Sequence, residues 1–96
     1  MNVLIHEKAA DDLDGIFTWI AKDNPRAAVD LVRRIRERIA RLGAPGLAHI
    51  GRPGLVEGTR ELVEPPYIVA YRVHEDRDEL VVLAVFHGAQ DRSVER

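Results

Sequence analysis

The stretch TRELVEPPYIVAYRVHEDRDELVVLAVFH, residues 59–87, decides the fold. It holds three segments rich in β-branched and aromatic residues: TRELVE (59–64), YIVAYRVH (67–74) and ELVVLAVFH (79–87). Each has strand length and strand composition. Pro65 and Pro66 force a turn between the first two, and EDRD (75–78) is a polar turn between the second and third. Turns this short join strands running in opposite directions, so the segment reads as an antiparallel meander. Alternation places Tyr67, Val69, Tyr71 and Val73 on one face of the middle strand, and Ile68, Ala70, Arg72 and His74 on the other. The first set offers the larger apolar area and is expected against helices. The last strand is apolar nearly throughout, as a strand covered on both faces or flanked on both sides should be. Strict alternation groups its Val81, Leu83, Val85 and His87.

The residues upstream supply the cover. NVLIH (2–6) reads as a short first strand. From Glu7 to Lys22, Ala9, Leu13, Ile16, Phe17 and Ile20 follow the spacing of one helical stripe, with Asp11, Asp12 and Asp14 near the positive end of the macrodipole. Trp19 flanks that stripe and is expected at the edge of the core. In DNPRAAVDLVRRIRERIARLGAPG (23–46), Asn24 is a good N-cap, Pro25 suits the first helical position, and Gly43 offers a left-handed stop. Ala28, Leu31, Val32, Ile35, Ile39 and Leu42 make a narrow apolar stripe on this second helix. The break between the two helices is so tight that they should form an antiparallel hairpin. Residues 43–58, with five glycines and two prolines, read as a loop. The expected architecture is α+β, in the order β-α-α-β-β-β, with a helical hairpin on one face of a mostly antiparallel four-stranded sheet. Two helices cannot cover both faces, so the other face is expected to meet solvent, the 43–58 loop or a partner.

Length and composition exclude several classes of function. A chain of 96 residues suits a single domain spanning residues 1–96 with one thin core, burying roughly 60–65% of its unfolded surface. Hydrophobic residues at 46% and charged residues at 31% describe a folded chain. There is no cysteine, hence neither a disulfide nor a thiolate metal site. The opening MNVLIHEKAADDLD turns charged too soon for a secretory signal and no run approaches membrane length, so a cytoplasmic location is expected. A net charge of −2 argues against generic phosphate binding as the main task. The charge is polarised, however: residues 25–42 hold six arginines against Asp30 and Glu37. Such a basic helix suits an acidic partner.

Chemistry has few candidates. Arg60, Arg72, His87 and Arg92, if they converge on the open sheet face, would form a cationic patch with one group that titrates near neutrality. That set could cleave RNA, with His87 taking the proton of a 2′-hydroxyl and the arginines stabilising charge on the phosphate. Against it, Arg72 can pair with a neighbouring glutamate, and a histidine before a glycine is an ordinary hydrogen-bonded corner. The histidines at 6, 49, 74 and 87 have no metal-ligand spacing, and no glycine-rich phosphate loop follows a strand. Neither a metal nor a cofactor is expected.

With these residues set out, the chain resembles toxins of the RelE/ParE superfamily of type II toxin–antitoxin modules. The resemblance covers nearly the whole length. It rests on the short first strand, AADDLDGIFTWIA (9–21), NPRAAVDLVRRIRERIARL (24–42), and the paired signature REL…PYIVAYRV (60–73) and V..VFHGAQDR (82–92). RelE-like members are ribosome-dependent mRNA endonucleases that use basic residues of the open sheet face and a C-terminal aromatic or histidine. On that pattern Arg60 falls at one basic position, but Leu62, Ile68 and Gln90 fall where other basic residues belong, and SVER (93–96) holds no tyrosine or histidine. Each missing donor removes about 3 kcal/mol of transition-state stabilisation. The resemblance therefore leans to the ParE branch, whose members inhibit DNA gyrase without chemistry of their own; the ribosome is the alternative target.

Both branches are neutralised by a cognate antitoxin whose C-terminal segment folds around the toxin. That implies a ParD-like partner with an acidic tail, a toxin–antitoxin hetero-oligomer and no membrane. The residues expected to touch target or antitoxin are Trp19, Arg33, Arg34, Arg38, Arg41, Arg60, Arg72, His87, Gln90 and Arg92. HGAQDR (87–92) would be the strand end and polar tail through which the open face meets its partner.

Overall fold

The computed structural model describes residues 1–89. Strand β1 (Asn2–Ile5) leads into helix α1 (Glu7–Ala21) and helix α2 (Pro25–Arg41). After a loop come β2 (Arg52–Pro53), β3 (Arg60–Glu64), β4 (Tyr67–His74) and β5 (Glu79–His87). The five strands form one sheet in the order β1-β5-β4-β3-β2. β1 runs parallel to β5 and the other pairings are antiparallel. The α+β architecture and the meander are as expected. The additional strand is β2, two residues inside the glycine-rich loop, which pairs Arg52 with Glu61 and Pro53 with Arg60.

The helix ends follow from their residues. His6 caps α1 through Nδ1, which accepts the Lys8 N–H at 3.1 Å. Asn24 caps α2, its Oδ1 accepting the Ala27 N–H at 3.0 Å, with Pro25 at the first helical position. The C-terminal stop differs from expectation. α2 closes on Leu42 in a right-handed conformation, and the left-handed glycine is Gly46, at φ 80°. Gly43 is there for space instead: a Cβ on it would stand 2.8 Å from Val3 Cγ2 and 2.9 Å from the Met1 carbonyl oxygen. The start of β1 thus passes directly over the end of α2.

One apolar cluster joins the layers. Leu13 of α1, Ile35 and Ile39 of α2 and the cap residue Leu42 cluster with Val69 and Tyr71 of β4 and Leu80 and Val82 of β5, all essentially free of solvent. The Tyr67, Val69, Tyr71 face of β4 is therefore the helix side. Burial of the hairpin's apolar stripe rather than its intrinsic propensity holds it in place. Phe17 departs from the expected stripe and is 38% exposed.

Two further corrections concern the sheet. A register shift opposite Ala70 and Tyr71 makes Leu83 an extra residue, because Ala70 pairs with Ala84 while Tyr71 pairs with Val82. Strict alternation fails there, and Leu80, Val82, Val85 and His87 all fall on the helix side, opposite Val73, Tyr71, Val69 and Tyr67. The loop also covers the helix side rather than the open one. Ala48 joins the core, and the buried Gly51 N–H donates to the Tyr71 hydroxyl at 3.0 Å. On the opposite face Leu4 and Val63 are exposed, while Glu61 and Ile68 are buried.

Candidate functional site

The expected cationic patch does not assemble. Arg60 lies opposite Tyr71 on the helix side, where its Nη1 donates to the carbonyls of Gly51 at 2.6 Å and His49 at 3.1 Å. It is a clasp on the loop. His87 pairs with Tyr67, also on the helix side, and stands edge-on to that ring at 5.4 Å, its Nδ1 accepting the Ala89 N–H at 3.0 Å. Arg72 pairs with Val81 on the other face. A general base and its electrostatic partners must reach the same phosphate. Arg60, Arg72 and His87 cannot, since the sheet separates Arg72 from the other two. Gln90 and Arg92 lie outside the described residues.

The arginines of α2 divide between two tasks. Arg38 donates to Glu64 at 2.6 Å, and Arg34 approaches the same carboxylate at 3.6 Å. Glu64 is mostly buried at the end of β3, so these two arginines pin α2 to the sheet. Arg33 pairs along its own helix with Asp30 at 3.1 Å and more loosely with Glu37 at 4.0 Å. Arg36 and Arg41 form no ion pair among the described residues.

Arg33, Arg36 and Glu37 border an open groove of about 460 Å³ on the outer side of the hairpin, two cations against one carboxylate. Its floor is Phe17 of α1 with Val29, Val32 and Ala40 of α2. Positions 29, 32, 33, 36 and 40 follow helical spacing, so this is a second stripe on α2, beside the one that faces the core. Val29 is 49% exposed. An apolar trough edged by arginine suits an amphipathic helix carrying acidic residues beside its apolar stripe. Of the α2 arginines expected to bind a partner, only Arg33 lines the groove. Phe17, Val29 and Arg36 were missed, although Val29 standing outside the core stripe was a legible sign of a second apolar surface.

Trp19 takes no part in the groove. It is 69% exposed rather than at the core edge, with the Lys22 ammonium 5.2 Å from its ring centre. Asp12 was also missed: its Oδ2 accepts the Val85 N–H at 2.9 Å and its carboxylate meets Lys8. It ties α1 to β5 beyond the last residue that β1 pairs. Among the described residues no cluster of three or more His, Cys, Asp or Glu side chains is placed to hold a metal, and no helix is long and apolar enough to cross a membrane.

Comparison with known proteins agrees with this geometry. The family model for the ParE toxin of the type II toxin–antitoxin system parDE matches residues 3–92. Y4kP of Sinorhizobium fredii, provisionally described as a toxin, is 39% identical over 85 residues, 86% of this chain and 83% of that protein. The structure of a chromosomal ParDE toxin–antitoxin system from P. aeruginosa aligns with a TM-score of 0.80 at 30% identity, covering 91% of this chain and 95% of that one. A chain of the RelBE2 toxin–antitoxin complex from Mycobacterium tuberculosis aligns with a TM-score of 0.57 at 24% identity, covering 90% and 95%, and shares the fold. A sequence matched to the ParE toxin model over nearly its whole length, on the fold of a solved ParDE structure, places the chain in the ParE toxin family of type II toxin–antitoxin systems.

Proposed function

We propose that this toxin acts by binding and inhibiting DNA gyrase in the cytoplasm, and that a cognate ParD-like antitoxin silences it in a hetero-oligomeric complex. The observation that carries the reading is the dispersal of Arg60, Arg72 and His87 over two sheet faces, with Arg60 spent on loop carbonyls. That arrangement supports a protein inhibitor and not a catalyst of phosphodiester cleavage. The arginine-bordered groove on the hairpin supports an antitoxin segment that is helical, apolar on one side and acidic beside it.

The test uses the purified toxin in two assays run side by side. Gyrase supercoiling should be inhibited, ribosome-programmed mRNA should stay intact, and added antitoxin should restore supercoiling. Cleaved mRNA with unaffected supercoiling would replace this reading by the RelE-like nuclease. His87→Ala should leave toxicity unchanged, because its ring packs on Tyr67 and serves no chemistry.

A further inference from the structure

The hairpin formed by β2 and β3 carries its apolar residues in the wrong place for a solvated turn. Its tip, residues 54–59, reads GLVEGT, and Leu55 and Val56 are 49% and 58% exposed. Ile50, just before β2, is 55% exposed. Turn tips are normally built from polar residues and glycine, and aliphatic side chains grouped in the open are the usual mark of a contact surface.

The tip is also held still. The Gly54 N–H donates to the Thr59 carbonyl at 2.8 Å, and the Thr59 N–H and hydroxyl both donate to the Val56 carbonyl. Below it, Arg52 pairs with Glu61, and Arg60 and Tyr71 fasten residues 49–51. Gly58, at φ +83°, leaves room for the Arg72 guanidinium, whose Nη1 stands 2.7 Å from where a Cβ would be. Arg72 makes no ion pair with any described residue, and its guanidinium lies against Gly58, two residues along the tip from Val56. A preorganised apolar knob loses little entropy on docking.

We propose that the Leu55–Val56 tip, flanked by Arg72, is the surface that engages the toxin's protein target, entering an apolar cleft rimmed by carboxylates. The identity of that target as gyrase rests on the functional reading above. Charge selects this occupant over a nucleic acid: the tip carries Glu57, which repels phosphate, and the cation is at its flank. It also separates the tip from the antitoxin groove, with which it shares no residue. One toxin would then carry two independent surfaces.

The test compares wild type with Leu55→Ser/Val56→Ser and Arg72→Glu, reading gyrase supercoiling, affinity for the cognate antitoxin and the melting midpoint. Both variants should raise the half-inhibitory concentration about tenfold or more, as loss of a central apolar anchor or its charge partner does. Antitoxin affinity should stay within about twofold, a discrimination readily measured, and melting should be unchanged because Leu55 and Val56 support no core. Unchanged potency of the double variant overturns the proposal. An antitoxin affinity that falls in step with potency overturns it too, by making the tip part of the antitoxin site. If wild type leaves gyrase untouched, the gyrase reading fails and growth arrest on expression scores the tip. A double variant that still arrests growth refutes a target-binding role, whereas one that folds, binds antitoxin and no longer arrests growth upholds it for another protein.

Discussion

Replacing Tyr71 with phenylalanine removes one oxygen from the centre of this protein, and the structure says what that oxygen does. The Tyr71 ring is fully buried, and its hydroxyl accepts the N–H of Gly51, itself buried, at 3.0 Å. Arg60, which reaches from β3 to the Gly51 and His49 carbonyls, is a donor and cannot take its place as acceptor. The substitution keeps the apolar packing, so the cost is the lost hydrogen bond plus the stranded N–H, about 1–3 kcal/mol together. Taking about 2 kcal/mol, the melting midpoint of a domain this size falls by about 8–16 °C. Urea unfolding should show a lower midpoint with an unchanged slope, because the surface exposed on unfolding is the same. The Gly51 amide should also exchange faster with solvent than other buried amides, since the opening is local. A loss below about 0.5 kcal/mol, within the scatter of neutral surface changes, would mean that the loop re-forms its contact elsewhere and that Arg60 alone anchors it.

Three further outcomes follow from named contacts. Asp12→Ala leaves the Val85 N–H at the edge of β5 without its acceptor and should cost about 1–2 kcal/mol in urea unfolding; Asp12→Asn, which keeps an oxygen there, should recover most of that, and equal losses would deny the hydrogen bond its role. Arg38→Met should destabilise by about 1–3 kcal/mol, because Glu64 is left mostly buried beside a distant partner, whereas Arg34→Met, at 3.6 Å and more exposed, should cost less than about 1 kcal/mol; the reverse order in thermal melts would refute the assignment. Val29→Glu places a carboxylate in the hairpin groove and should weaken antitoxin binding about tenfold or more by calorimetry, with melting unchanged; undiminished affinity would take the antitoxin out of the groove.

Much of the fold was legible because its signals are local. Asn24 and Pro25 mark the start of α2, the double proline and EDRD bound the strands, and the Tyr67, Val69, Tyr71 alternation picks the buried face of β4. What was not legible depends on residues distant in sequence. Gly43 looks like a helix stop, but it is required by Val3 and Met1, forty residues away along the chain. β2 is two residues whose only strand-like property is lying beside Glu61 and Arg60. Asp12 reads as one of several acids favoured by a helix dipole, and only the sheet reveals that it caps Val85. Spacing put Phe17 in the core stripe and Trp19 at its edge, yet spacing cannot say how wide a stripe the sheet has room to cover.

The bulge at Leu83 shows how register decides chemistry that composition leaves open. In sequence, Arg60, Arg72 and His87 make a plausible base with two cations. Without a bulge, strict alternation would carry His87 to the face opposite Val82, since it lies an odd number of positions, five, further along. The extra residue keeps Val82, Val85 and His87 on one side, so the strand can bury Val82 and Val85 in the core on the helix side while its last side chain comes down on Tyr67. The imidazole is thereby removed from Arg72 by the thickness of the sheet. Arg60 is on the side of His87, yet its guanidinium is occupied by two carbonyls that hold the loop under the β2–β3 hairpin. One inserted residue and one loop clasp are enough to take apart a set that could act on phosphate. They leave Arg72 on the other side, without an ion pair among the described residues and against Gly58 of the hairpin tip that exposes Leu55 and Val56. On the proposed reading, the cation that the register parts from His87 is a binding partner for the target instead, and reversing Arg72 measures that.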